Sequence, residues 1–195
     1  LSKLRSVRRQ KGITRIFGKG KALRTCEPTP FVNVYQKEIE MRLTSRSIEE
    51  GSRMPAAQSY AGGNRSPELS WRDPPEGTRS FAVTCFDPDA PTGSGWWHWC
   101  VLNLPAALRS LPEGASPEDL EALGAITLRN DYGEAEYGGA APPAGDGMHR
   151  YVFTVWALPV EKLELTKESN CPTAGFMLHA QAIAKVKLTA TYVTE

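Results

Sequence analysis

The sequence has 195 residues, a hydrophobic fraction of 41% and a net charge of +1, which together fit one globular domain with its own core. It contains no run of eighteen apolar residues, so we expect no integral membrane association. Residues 1–25 hold nine Lys or Arg and no acidic residue, which leaves fourteen basic against twenty-two acidic residues in 26–195. This acidic body argues against nucleic acid as a partner of the domain.

The four cysteines, Cys26, Cys85, Cys100 and Cys171, are scattered and form no C-x-x-C pair. This spacing argues against a zinc ribbon and against a dithiol redox centre. Cys85 and Cys100 lie in apolar, strand-like runs, so we interpret them as small buried hydrophobic residues. Such cysteine usage is typical of a reducing compartment, so we expect a cytoplasmic protein. No motif predicts a cofactor.

Residues 1–40 differ in composition from the rest of the chain. The stretch from Lys3 to Arg24 is basic throughout and lacks the apolar segment of a secretory signal. An arginine-rich, acid-poor segment is compatible with a transit peptide or with a nucleic-acid-binding arm. We favour a basic extension that is disordered or not native to the protein. The domain is then expected over residues 41–195.

From Met41 onward, turn signals separate short apolar runs that are rich in β-branched and aromatic residues. The sequence predicts strands at 69–71, 80–86, 96–104, 149–158 and 186–193. A short helix is expected after an N-cap at Ser116. A second helix is predicted over 173–185, with four apolar residues on one face: Phe176, Ala180, Ile183 and Ala184. Strands dominate, which indicates a mainly β fold.

Two Gly- and Pro-rich loops, residues 87–95 and 131–147, lead directly into two of the strongest predicted strands. The second loop, at seventeen residues, is longer than ordinary connectors, and such loops are often functional. His98 and His149 follow these loops, and a His pair with backbone N–H groups can hold a phosphate or carboxylate. We expect Asp87 to lie beside His98, to orient its ring and to raise its pKa.

The first loop region reads Asp87-Pro-Asp-Ala-Pro and continues to Trp97-His98, and the second runs from Tyr137 through a tandem proline to His149-Arg-Tyr151. These two blocks resemble the signature blocks of the phosphatidylethanolamine-binding protein (PEBP) family. The Pro-Thr-Gly-Ser-Gly-Trp-Trp-His-Trp stretch is similar to the bacterial YbhB/YbcL branch, also described as Raf-kinase-inhibitor-like. The resemblance extends from about residue 41 to residue 192.

The resemblance implies an antiparallel β-sandwich with a Greek-key sheet and a few peripheral helices. It also implies a ligand pocket formed by Asp87, His98, Pro142, Pro143, His149 and Tyr151. The expected ligand is a small phosphorylated or otherwise anionic group, and a kinase or another protein is an implied partner. Bacterial relatives imply a homodimer. Ala141 stands where many members have Gly, so its Cβ is expected to narrow the pocket if the backbone there requires a positive φ.

The same Asp87, His98 and His149 also permit an alternative, a metal-assisted or acid–base hydrolase. A metal needs three or four converging ligands, and nucleophilic catalysis needs a Ser or Cys beside the base. Ser94 lies in a Gly-Ser-Gly stretch that lacks the strand–turn–helix context of a nucleophile elbow. We therefore predict a non-enzymatic binding module and keep the hydrolase as the alternative.

Overall fold

The computed structural model describes residues 40–195, so the predicted basic extension lies outside the described residues. The described part contains strands β1 (Arg42–Thr44), β2 (Leu69–Arg72), β3 (Ser80–Asp87), β4 (Trp96–Pro105), β5 (Ser110–Leu111), β6 (Ile126–Thr127), β7 (His149–Leu158) and β8 (Ala184–Tyr192). Its α-helices are α1 (Pro117–Ala122) and α2 (Cys171–Gln181), and Ala56–Gln58 form one turn of 3-10 helix. Within residues 40–195, neither helix has the length and apolar content needed to cross a bilayer.

The strands form two antiparallel sheets, which confirms the mainly β prediction. One sheet has three strands in the order β1-β2-β5, and the other has five in the order β6-β4-β3-β7-β8. The main core contains residues of both sheets, such as Trp71 on β2 and Phe81 on β3. A second apolar cluster joins the five-stranded sheet to α2 through Leu102 and Leu178. The five-stranded sheet therefore contributes side chains to both clusters.

Strand β3 is buried almost throughout because its side chains alternate between these two clusters. Phe81, Val83 and Cys85 belong to the main core, whereas Ala82 belongs to the cluster that contains α2. Thr84 is also buried, and its hydroxyl accepts a hydrogen bond from the indole nitrogen of Trp156 at 3.0 Å. A strand that is covered on both faces has a nearly continuous run of apolar residues, and β3 has such a run.

Helix α1 begins as predicted, with Ser116 as its N-cap in a capping box with Asp119. Helix α2, however, covers Cys171–Gln181 and not 173–185. It ends because Ala182 adopts an extended conformation, with ψ of 131°, and the chain enters β8 at Ala184. The predicted apolar face is not the buried one: Phe176 is 73% exposed. Spacing alone cannot show which face of a helix is covered.

Pairing around β3 brings the two Gly- and Pro-rich loops to one end of the five-stranded sheet. In the β3–β4 pair Asp87 lies opposite Trp96, and in the β3–β7 pair Phe86 lies opposite Val152. Because both neighbours run antiparallel to β3, the end of β3 meets the beginnings of β4 and β7. Asp87 is thereby placed near His98 and His149, although 62 residues separate it from the latter.

Replacing Phe153 with Ala is expected to destabilise the domain by about 3–5 kcal/mol, because Phe153 is fully buried in β7 and its loss leaves a cavity. The matched control is Phe176→Ala on the exposed face of α2, which should change the free energy of unfolding by less than about 0.5 kcal/mol. Chemical denaturation measures both values. Similar losses in the two variants would contradict the described packing.

Candidate functional site

A cavity of about 240 Å³ opens where the loops meet. It is lined by Asp87, Ala90, Pro91, Thr92, Trp96, His98, Tyr132, Ala141, Pro142, Pro143, His149 and Tyr151. We call this space the ligand cavity. All six residues that the sequence singled out lie in its wall, so the structure brings the two sequence blocks together. The cavity is small, on the scale of a headgroup and below the roughly 300–1,000 Å³ of drug-sized sites.

Asp87 is almost fully buried, with 2% of its surface exposed, and both of its carboxylate oxygens accept hydrogen bonds. Oδ1 accepts from the backbone N–H groups of Asp89 and Ala90, at 2.8 and 3.1 Å. Oδ2 lies 2.8 Å from Nδ1 of His149. A buried carboxylate is tolerated when it is paired in this way. Asp87 therefore anchors the start of its loop and holds the His149 ring in place.

His149 contacts a carboxylate at each of its ring nitrogens. Besides the Asp87 contact, Nε2 lies 3.1 Å from a carboxylate oxygen of Asp146. Burial alone would lower the pKa of His149, but the two carboxylates outweigh burial and raise it above its ordinary value. Asp87 and His149 form a buried ion pair, since their side chains are each 3% exposed.

The expected pairing of Asp87 with His98 is wrong. His98 uses Nδ1 to contact the backbone carbonyl of Gly138 at 2.7 Å, and Asp87 pairs with His149 instead. Burial lowers the pKa of His98 below its ordinary value, which is the opposite of the expected direction. Because a carbonyl only accepts, Nδ1 carries the proton and the lone pair of the neutral ring lies on Nε2. His98 is therefore a neutral hydrogen-bond acceptor at neutral pH.

The first loop is closed by an ion pair and by one glycine. Arg150 donates through Nε and Nη2 to the two carboxylate oxygens of Asp89, at 2.8 and 2.7 Å, and this contact lowers the pKa of Asp89 to about 2. The loop returns to β4 through Gly95, whose φ is +74°. A Cβ at that position would lie 2.3 Å from the ring of Phe86, so only glycine fits there.

The second loop is held by the buried side chain of Asn130. Its Oδ1 accepts from the backbone N–H groups of Tyr132 and Glu134, both at 3.0 Å, and its amide donates to the carbonyl of Glu136 at 3.0 Å. These contacts place the Tyr132 ring against the cavity, where its hydroxyl donates to Gly139 O at 3.2 Å. The long loop is therefore ordered by one amide side chain that no loop signal in the sequence predicted.

The family model described as "Phosphatidylethanolamine-binding protein" matches residues 44–193 of the chain. The chain belongs to the phosphatidylethanolamine-binding protein family. It is 44% identical to the YbcL protein of Escherichia coli, covering 83% of this chain and 92% of that protein. It is 45% identical to YbhB of the same organism, covering 78% of this chain and 99% of that protein. The predicted YbhB/YbcL relationship is confirmed.

Solved PEBP structures agree with this assignment. The crystal structure of Escherichia coli YbcL superposes with a TM-score of 0.76 at 46% identity, covering 80% of this chain and 99% of that one. A homologue from Chlamydia trachomatis, titled a putative PEBP homologue, superposes with a TM-score of 0.70 at 31% identity, over 80% of this chain and 99% of that one. The fold described above is thus the PEBP fold.

Two residues of this PEBP site were not singled out by the sequence. Tyr132 packs edge-on against Trp96 and His98, with ring centroids 5.2 and 5.6 Å apart, and so forms an aromatic wall. Asp146 contacts Nε2 of His149, which lines the cavity. Tyr132 lies within the long loop. The length of that loop predicted a functional region but did not identify this residue. Of the tryptophans on β4, Trp99 is fully buried in the core, whereas Trp96 lines the cavity.

Ala141 does not strain the site. Its φ is outside the left-handed region, where only Asn64, Asp73 and Asn103 are found among the non-glycine residues of 40–195. The Cβ of Ala141 is therefore accepted in the cavity wall without a conformational cost, and the residue narrows the cavity simply by lining it.

The Asp87–His149 pair is expected to make stability depend on pH. Because the pKa of His149 is raised in the folded protein, the pair's contribution is complete below the pKa of the unfolded chain and is lost as pH rises through the folded-state value. Asp87→Asn should weaken this pH dependence, measured as the free energy of unfolding across that range. Asp73→Asn is the control, since Asp73 lies on the surface with φ of +56° and Asn tolerates that conformation. Identical profiles for Asp87→Asn and the wild type would refute the pairing.

Proposed function

We propose that the ligand cavity binds a small phosphate-type anion and that the protein acts by binding, not by catalysis. The observation that carries this proposal is that two residues lining the cavity, Tyr151 and Trp96, each hold a buried donor, a hydroxyl and an indole N–H, that has no partner within residues 40–195. Burying a polar group without a partner costs about 1–3 kcal/mol. A ligand that offers acceptors to both groups would remove this cost.

Tyr151 is the better defined of these donors. Its side chain is almost fully buried, with 1% exposure, and its hydroxyl has no hydrogen-bond partner within residues 40–195. Burial, followed by the charge of Asp87, raises the pKa of Tyr151 above its ordinary value. The hydroxyl therefore keeps its proton and remains a donor at any physiological pH.

His98 adds an acceptor to these two donors. Its Nδ1 proton is used by Gly138, so Nε2 of the neutral ring offers a lone pair. A singly protonated phosphate matches this set, because two of its oxygens accept from Tyr151 and Trp96 while its P–OH group donates to His98. A fully deprotonated sulfate has no proton to donate to His98. The cavity is therefore expected to prefer phosphate monoanions.

The charges of the site indicate how such a ligand is held. The cationic His149 lies between the carboxylates of Asp87 and Asp146, so these three groups together are net negative and the cavity carries no excess positive charge. Binding would then rest on directed hydrogen bonds within apolar walls made by Tyr132 and Pro142. We expect modest affinity that depends weakly on salt, and organic phosphates of headgroup size should bind better than inorganic phosphate.

The hydrolase alternative finds less support in the geometry. Within residues 40–195, no three His, Cys, Asp or Glu side chains converge as a metal site requires. Across the same residues, the cavity lining includes no Ser or Cys that could serve as a nucleophile. A non-enzymatic role is therefore the proposal. The kinase-type partner, the homodimer and the cytoplasmic location stay predictions.

Phosphoethanolamine is a suitable probe below about pH 6, the second pKa of a phosphate monoester, because its phosphate then carries one P–OH group and the molecule is small enough for the cavity. We expect it to shift the ring signals of His98 in an NMR titration and to bind with one site per chain by calorimetry. Tyr151→Phe should weaken binding about 10- to 100-fold, the effect of losing a hydrogen bond to a charged group. Tyr192→Phe, on β8 outside the cavity lining, should bind as the wild type does.

The absence of any His98 shift at millimolar phosphoethanolamine would overturn the proposal. So would equal binding by the wild type and Tyr151→Phe, because the proposal gives that hydroxyl a direct contact with the ligand.

The same substitution should have the opposite effect on the free protein. Tyr151→Phe removes a buried hydroxyl whose proton has no acceptor, so the free variant should be at least as stable as the wild type in chemical denaturation. Tyr137→Phe is the matched control, because the Tyr137 hydroxyl donates to the carbonyl of Gln58 at 2.9 Å and its loss should destabilise the domain by about 1 kcal/mol. A larger loss in Tyr151→Phe than in Tyr137→Phe would show that the Tyr151 hydroxyl is satisfied in the free protein.

A further inference from the structure

The segment 141–148 carries the two prolines of the cavity wall but has few attachments to the rest of the domain. Pro142 is buried, whereas the other residues from 141 to 148 are exposed. Two hydrogen bonds hold this segment within the part of the chain that the structure describes. The Asp146 N–H donates to the Pro143 carbonyl at 3.1 Å inside the segment, and the Asp146 carboxylate contacts His149. We call 141–148 the proline segment.

The Asp146 contact requires a doubly protonated His149 ring. A carboxylate accepts hydrogen bonds and cannot donate them, and His149 has one carboxylate at each nitrogen, at 2.8 and 3.1 Å. A neutral imidazole has a single N–H and can satisfy only one of them. In the neutral ring the remaining N–H donates to Asp87, because that contact is the shorter one. The Asp87 side chain is also more buried, at 3% exposed against 38% for Asp146. The Nε2 lone pair then faces the Asp146 carboxylate and repels it.

We propose that Asp146 is a positioning residue that holds the proline segment against the ligand cavity through protonated His149 and releases it when His149 loses its proton. This inference rests on the proposed function, since it describes how the wall of the same cavity is held. The released carboxylate is already partly in water, so leaving the ring costs little. Gly145 and Gly147, with φ of +82° and +93° and open space around them, flank Asp146 and allow the movement.

The other charged groups near His149 do not compete for Nε2. Asp87, at the end of β3, contacts Nδ1. Asp89, in the following loop, is paired with Arg150 on β7, and this pair keeps its charges at neutral pH because the pKa of Asp89 is about 2 and that of Arg150 is raised by Asp89. On the neighbouring strands, Tyr192 of β8 lies opposite His149 and His98 of β4 contacts Gly138. The contact between protonated His149 and Asp146, which we call the latch, therefore depends on these two residues alone.

NMR of the full chain tests the latch without any ligand. In the wild type, the Gly145 and Gly147 amides should be ordered below the pKa of His149 and mobile above it. Asp146→Ala should leave these amides mobile at every pH and lower the pKa of His149. Asp146→Glu should restore part of the pH dependence, because it returns a carboxylate to the ring. Glu136→Gln removes one charge from the preceding loop, where Glu136 is exposed, and should behave as the wild type does.

Dimethyl phosphate then tests the effect on the cavity, because this diester stays a monoanion across the titration. It has no P–OH group to donate to His98, so it reports on binding through the Tyr151 and Trp96 donors alone. Its affinity for the wild type should fall about threefold as His149 is deprotonated, the scale of a partly exposed ion pair. At every pH, Asp146→Ala should bind dimethyl phosphate with the affinity that the wild type shows only above the pKa of His149.

The latch is refuted if the mobility of the Gly145 and Gly147 amides does not change as His149 titrates. It is also refuted if the pKa of His149 is the same in Asp146→Ala as in the wild type. If the amides respond but neither phosphoethanolamine nor dimethyl phosphate binds, the latch stands and the proposed function fails.

Discussion

The antiparallel pairing of β3 with β4 and β7 is the constraint on which the rest of the structure depends. Both faces of β3 are covered, one by the three-stranded sheet and one by α2, so its register cannot slip without moving apolar side chains to the wrong face. This fixed register brings Asp87 at the end of β3 to His149 at the start of β7. The buried core therefore determines the geometry of the ligand cavity.

The cavity combines groups that are satisfied with groups that are not. The Asp87 carboxylate accepts from two backbone N–H groups and from His149, so it acts as a structural anchor for the loop. The Tyr151 hydroxyl and the Trp96 indole N–H are buried without partners. The indole N–H groups of Trp71 and Trp99 are also buried without partners, but only the donors of residues that line the cavity favour a ligand with acceptors. The two donors, and not the histidine cation, support a phosphate-type ligand, since His149 lies between two carboxylates.

Much of the fold followed from local patterns. Continuous apolar runs marked β3, β4 and β7, and the Ser116 cap marked the start of α1. The α2 boundaries were wrong because Ile183 and Ala184 continue a helical spacing, whereas pairing with β7 draws Ala184 into β8. Short strands such as β5 and β6 were missed, since two residues carry no periodicity and exist only through their partners.

The sequence by itself determined the membership in the PEBP family and the six residues in the cavity wall, because both signature blocks are local and long. Only the tertiary structure decided that Asp87 pairs with His149 and not with His98, and that Tyr132 and Asp146 belong to the site. The physical reason is that a pairing depends on the direction of each side chain at its strand end. That direction is set by register and by contacts such as His98 with Gly138, which join residues 40 positions apart.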